Sequence, residues 1–271
     1  MRIVLVARDA GGVFQAGVQQ GAREVLEADG LTLEVLDTPT GIEALAGATG
    51  VIALMNVLSA EDLLALDGQG IRLTLVSHSL PDGNLPAVMH DNRQGMGQLL
   101  AYLFADRGCT RPLLLGGEPT QLDAIEREAA FREDLMRRGI DPDSCAAVTG
   151  DFDPRVAAER FEAYLGQGTA FDSVIAADFL MAIAILPVLE RHGLGHLPIA
   201  AFGDGPEAAA AGITTVAADV VELGRRAARQ LLGQLPGRNP GRPLSGTTVL
   251  ATELIRRSAP GTVEPLDDAG G

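Results

Sequence analysis

The chain has 271 residues, 46% of them hydrophobic, with 33 glycines and 15 prolines, a globular composition that excludes long disorder and can fill one or two cores. A net charge of −15 repels a phosphate backbone, so this chain alone is a poor nucleic-acid binder. All 21 basic residues are arginine, which excludes a Walker lysine, a Schiff base and a catalytic ammonium.

Short apolar runs alternate with longer amphipathic stretches, the pattern of parallel strands joined by crossover helices, and the fold class is α/β. A strand at 2–7 holds too few apolar residues before Arg8 and Asp9 for a signal-peptide core of about 7 to 15 residues. Strands are expected next at 33–36 and 50–55. The uncharged run 44–60 is broken by Gly47, Gly50 and Asn56 and falls short of the roughly 20 residues of a membrane helix, so a soluble, cytoplasmic protein is expected. Ser59 with Asp62 forms a capping box at the start of a helix. Strands at 73–76 and 87–89 lead into a helix over 92–106 that ends at Gly108. A second α/β series opens with strands at 112–115 and 146–148. Cys109 and Cys145 form no CxxC pair and read as buried thiols. Asp153 followed by Pro154 starts another helix, and strands follow at 173–176 and 199–202. After Gly212 come a short strand at 214–216, a helix opened by a second box, Asp219 with Glu222, and a last strand over 249–255. Residues 259–271 read as a disordered tail.

Gly203, Gly205 and Ala208 match a loose dinucleotide-binding pattern, but Pro206 removes an amide donor and the pattern lies late in the chain. His192 and His196 have a metal-like spacing interrupted by Gly193 and Gly195, which favours a loop. No nucleophile elbow occurs. Nothing here compels an enzyme, and no cofactor or metal is expected.

A set of segments in register carries more. Asp91-Asn92 stands before a helix ending in Gly108, then come Arg127 with Ala130-Phe131, and Phe171-Asp-Ser-Val-Ile-Ala-Ala followed by Leu180-Met-Ala-Ile. Ile213-Thr-Thr-Val precedes Glu222-Leu-Gly224 and Ala227-Ala228, and Thr252-Glu-Leu-Ile precedes Arg257-Ser258. In this order the chain resembles, over about residues 1–258, the effector-binding core of the lactose-repressor/galactose-repressor (LacI/GalR) family of transcription regulators. The resemblance implies a periplasmic-binding-protein-like type I fold: two doubly wound parallel-sheet subdomains joined by three crossovers, with a small molecule held between them. The first subdomain would combine 1–108 with 213–238, and the second 109–212 with 239–258.

The resemblance also implies roles. Arg127 matches an arginine that forks onto ligand oxygens, and Phe152 an aromatic that covers a sugar or base ring. Asp91 matches a strand-end acid that could instead cap the following helix. Asp178 and Phe179 stand where the family usually has Asn-Asp, Asp204 falls in or beside the family's Gly-aromatic-Asp-Asp turn, and Ala218 replaces a frequent glutamine. Asp9, Gln15, Asn56 and His78 are strand-end candidates in the first subdomain. Carboxylates at Asp91, Asp178 and Asp204 around one arginine imply a neutral or cationic effector, a sugar or nucleoside. The family's helix-turn-helix is missing from this sequence, so DNA contact would need a domain outside it. A homodimer that binds no membrane is expected. Two other readings are a solute-binding transport receptor of the same fold and, on Gly203 to Ala208 alone, a nucleotide-using enzyme.

Overall fold

A computed structural model describes residues 1–8, 11–37, 41–55, 57–80, 85–168, 170–237 and 246–257. The chain forms two units, residues 1–90 with 219–250 and residues 91–218 with 251–271.

The first unit is built on a six-stranded sheet. Its strands are β1 (Ile3–Ala7), β2 (Leu33–Asp37), β3 (Gly50–Leu54), β4 (Arg72–Val76), β5 (Ala87–His90) and a late addition, β11 (Thr247–Leu250), in the order β11-β5-β4-β3-β1-β2. All pairings are parallel. Alternation along β1 assigns the two faces. Ile3 and Leu5 pack with Val18, Ala22 and Leu26 of α1 (Val13–Ala28) and with Leu223, Ala227 and Leu231 of α8 (Val220–Gln234). Val4 and Val6 pack on the other face with Leu63 and Leu66 of α2 (Ala60–Gly68). Both faces are covered, so the strands read as unbroken apolar runs.

The second unit repeats the plan with β6 (Pro112–Gly116), β7 (Ala147–Thr149), β8 (Ser173–Ala176), β9 (Ile199–Phe202), β10 (Thr214–Ala217) and β12 (Glu253–Ile255), in the order β12-β10-β9-β8-β6-β7. Only the β10–β12 pairing is antiparallel. Leu113 and Leu115 face α5 (Pro154–Leu165), α6 (Phe179–Arg191) and α7 (Pro206–Ala211), whereas Leu114 and Ile175 face α3 (Asn92–Ala101) and α4 (Leu122–Arg137).

The chain passes between units after residues 90, 218 and 250, not after 108, 212 and 238 as the sequence suggested. Gly108 does sit at positive φ behind the helix, but α3 buries Met96, Leu99 and Leu100 against Phe131, Phe202 and Val216 of the second unit. Its Gly95 leaves the room that the Phe202 ring occupies. The strand expected over 249–255 is two strands, because Val249 pairs with Met89 in one sheet and Leu254 with Val216 in the other. Thr252, at the break, is clasped by α3: its amide donates to Gln94 Oε1 (2.9 Å), its hydroxyl to Gln98 Oε1 (3.0 Å), and its carbonyl accepts from Gln98 Nε2 (3.3 Å). The expected tail lies outside the described residues.

Capping follows the sequence closely. Ser59 and Asp62 form a reciprocal box, and Asp153 accepts from the amides of Arg155 and Val156. At α8 the box is half made: Asp219 accepts from the Glu222 amide, but the Glu222 carboxylate turns to Arg226 and Arg229.

Helices α1 and α8 touch through glycine. A Cβ on Gly21 would run into the Val221 carbonyl oxygen, and one on Gly224 into that of Val18. Backbone cannot yield as a side chain can, so overpacking here exceeds the ~1 kcal/mol that alanine gains over glycine in a helix. Gly21→Ala and Gly224→Ala should each lower stability by about 1 to 3 kcal/mol, read as a fall in the urea midpoint.

Candidate functional site

Helix α4 carries Asp123, Glu126 and Arg127 on its inner side by ordinary three- and four-residue spacing. Arg127 is buried at 7% exposure, and its charge is met from several elements. Nε donates to Asn92 Oδ1 of α3 (2.8 Å), and Nη1 donates to the Ala177 carbonyl at the end of β8 (2.6 Å). The guanidinium carbon lies 4.3 Å from the centre of the Phe202 ring and 5.9 Å from that of Phe152, close enough for cation–π attraction. Asn92 in turn donates to Asp123 Oδ1 (2.8 Å) and Glu126 Oε2 (2.7 Å). Burial pulls the Arg127 pKa down, and Asp123, Asp178 and Glu126 oppose that shift; an arginine stays charged under such conditions.

Two of the sequence candidates gather around this arginine. Asp178 is the N-cap of α6, accepting from the amides of Leu180 (2.8 Å) and Met181 (3.3 Å). Burial pushes its carboxyl pKa up, against the pull of the two amides and of Arg127. Phe152 follows β7 and, with Asp151, sits at positive φ, a conformation that costs a non-glycine residue of order 1 kcal/mol or more. Its ring lies over Gly117, where a Cβ would collide with it. The turn thus holds an aromatic ring beside the guanidinium. Among the described residues, Arg127 Nη2 donates no hydrogen bond, Asp123 Oδ2 lying 3.8 Å away. The site combines an available donor pair, a half-buried ring and carboxylate acceptors, a set suited to holding a hydroxylated ligand.

The other candidates are placed differently. Asp91 caps α3 by accepting from the Gln94 amide (2.8 Å). Phe179 is 4% exposed and packs against Gly203 and Gly205, so those glycines make room for a ring of the core rather than for a pyrophosphate. Asp204 does not stand free: Arg257, 4% exposed, binds both its oxygens (2.8 and 3.0 Å), and the Thr215 hydroxyl donates to it (2.8 Å). In the first unit Gln15 donates to the Arg8 carbonyl (3.2 Å), and His78 follows β4 with both ring nitrogens buried. Asp9 and Asn56 lie outside the described residues. Sequence reasoning missed Asp123, Glu126 and Phe202, and quoted Asn92 and Arg257 without a role. The Asp123–Arg127 spacing was a usable signal, whereas nothing local announces Arg257 as the partner of Asp204.

Residues 101–259 match the family described as periplasmic binding protein-like domain. The HTH-type transcriptional regulator CelR of Thermobifida fusca is 28% identical over 241 residues, which take in 83% of this chain and 70% of CelR. The structure of a transcriptional regulator CelR–cellobiose complex matches with a TM-score of 0.84 and 26% identity, covering 95% of this chain and 84% of that one. A lac repressor dimer bound to operator and an anti-inducer matches with a TM-score of 0.82 and 18% identity, over 95% and 93% of the two chains, and shares the fold.

Because Arg257 is left as an uncompensated buried cation when its carboxylate is removed, Asp204→Ala should lose about 3 to 5 kcal/mol of stability, measured by urea denaturation. An unchanged midpoint would show that the pair does not hold the C-terminal strand.

Proposed function

This chain belongs to the periplasmic binding protein-like domain family, and we propose that it is the sugar-sensing, dimerising core of a LacI/GalR-type transcription regulator. The observation that carries the reading is the available Nη2 edge of Arg127, set beside the Phe152 ring and ringed by Asp123, Glu126 and Asp178. A neutral polyol fits this set, since its hydroxyls accept from the arginine and donate to the carboxylates while a ring face lies on Phe152. An anion would face three acids with one cation to offset its desolvation. Of these acids only Asp178 is one the sequence pointed to, since Asp204 is paired with Arg257 and Asp91 caps a helix. Cellobiose, the ligand of the CelR complex, is of the class inferred here.

No helix among the described residues is long and apolar enough to cross a membrane, and we place the protein in the cytoplasm. With a net charge of −15, DNA contact is assigned to a separate helix-turn-helix domain. The core itself binds and signals rather than catalyses.

Calorimetry with cellobiose, ribose, uridine, glucose 6-phosphate and citrate tests the ligand class. Binding should be confined to the neutral compounds, and Arg127→Ala should weaken it by roughly 2 to 4 kcal/mol, the range for removing one partner of a buried charged hydrogen bond. Tight binding of glucose 6-phosphate or citrate would overturn the reading. Light scattering at micromolar concentration should return twice the 28.2 kDa chain mass, as expected of an isologous pair; a monomer would remove dimerisation from the proposal.

A further inference from the structure

The turn that carries Phe152 is pinned by backbone on either side. The Gly150 amide donates to the Gly116 carbonyl at the end of β6 (2.7 Å), and the Asp153 amide donates to the Gly150 carbonyl (3.0 Å). Gly150 is itself closed in, because a Cβ there would run into Met181 Sδ and the Ala157 side chain. Between these pins Asp151 is at φ +56° and Phe152 at φ +57°. Aspartate visits this left-handed region readily, whereas a bulky aromatic residue there is strained. Such strain persists only where the surroundings fix it. One side chain spans the turn. Arg160, two turns into α5, donates from Nη1 to the Thr149 carbonyl (3.0 Å) and sets Nη2 against Asp151 Oδ2 (2.8 Å). A guanidinium is a rigid planar fork, so taking hold of residues 149 and 151 with its two ends fixes the chain on both sides of Gly150.

We propose that Arg160 and Asp151 are positioning residues of the arginine site: their pair holds the turn so that the Phe152 ring stays seated over Gly117, beside Arg127. The seat is the space that a Cβ on Gly117 would fill, and the ring so held lies 5.9 Å from the Arg127 guanidinium carbon. The proposal rests on the sugar-sensing reading for what the ring covers, and on the second unit alone for how the ring is held. Its benefit is preorganisation. A ring already fixed loses little freedom when a ligand face lies on it, whereas a ring on a loose turn has to be ordered at the expense of affinity. The same pair contributes little to the fold as a whole. The side chains of Arg160 and Asp151 are 49% and 31% exposed, and ion pairs in contact with water add little to stability. Positioning and general support are therefore separable by experiment.

The chain has no tryptophan, so Phe152→Trp places a single indole on the seat. Acrylamide quenching of that indole and urea unfolding are compared with and without Arg160→Ala and, separately, Asp151→Asn, which keeps a residue tolerant of positive φ and removes the charge. Each is expected to roughly double the quenching constant, as the ring gains fast motion, with the urea midpoint in place. An unchanged quenching constant in either variant overturns the proposal, and so does a rise accompanied by a falling midpoint, which marks general loosening. Should the tryptophan variant fail to fold, the same comparison is made by NMR on chain carrying isotope-labelled phenylalanine. The Phe152 signal is identified by its loss in Phe152→Leu. Movement of that signal toward its random-coil position in Arg160→Ala supports the proposal, and an unmoved signal overturns it. Calorimetry with cellobiose, ribose and uridine adds the binding arm. Arg160→Ala should weaken whichever probe the wild type binds by roughly threefold to tenfold, the worth of a well-placed aromatic contact, and should have no further effect once Phe152 is alanine. An equal loss in the Phe152→Ala background shows that Arg160 acts without the ring, and overturns the proposal. If the wild type binds none of the three probes, the sugar-sensing reading falls, and quenching alone decides whether the pair holds the ring.

Discussion

A guanidinium taken out of water has to be given hydrogen-bond acceptors and a polarisable surface, or its burial costs several kcal/mol. Arg127 obtains them from four pieces of the second unit: Asn92 at the head of α3, the Ala177 carbonyl behind β8, the Phe202 face at the end of β9, and the Asp123 side chain on its own helix. None of the four is adjacent in sequence to another. Their convergence fixes where α3 and α4 begin relative to the carboxyl ends of the strands, and it leaves one edge of the arginine available. Because Asn92 is anchored by two carboxylates, the arginine cannot turn away without breaking a network whose members are all wholly or partly withdrawn from solvent.

The second buried arginine solves the same problem in another way. Arg257 takes both oxygens of Asp204 and also donates to the Ile213 carbonyl and the Thr215 hydroxyl. Both terminal nitrogens are taken up and only the buried Nε lacks a partner, so this pairing holds structure, whereas the Arg127 arrangement leaves Nη2 available and can bind. The difference between the two arginines lies in geometry, not in residue type.

That contrast explains what was legible in the sequence. Strands buried on both faces announce themselves as apolar runs, and caps such as Ser59 with Asp62 or Asp153 with Pro154 act over three residues, so composition and spacing located them. The ownership of α3 was not legible, because a helix that connects two units belongs to whichever face its Met96 and Leu99 find, and that depends on Phe131 and Phe202 far along the chain. The strand at 249–255 looked continuous for the same reason: the break at Thr252 is set by Gln94 and Gln98, more than 150 residues earlier. Arg127 and Phe152 were found through the resemblance. Asp178 came with them; Asp91 makes the local cap that the sequence offered as its alternative, and the partner of Asp204, a distant arginine, is decided by tertiary pairing and not by the acid itself.

The order in which the chain is made adds a consequence. The first unit begins at residue 1 yet needs α8 and β11, and the second begins at residue 91 yet needs β12 and Arg257. Neither can complete its sheet before β11 and β12 are made, so the edge of β5 stays unpaired while residues 91–246 are added and that of β10 while 218–252 are added. Native pairs as distant as His90 with Leu250 make folding slow by topology, and the nascent chain is a natural client for chaperones that shield strand edges. A stop codon between β11 and β12 would strip the second unit of its edge strand, while one before β11 would leave both units unfinished.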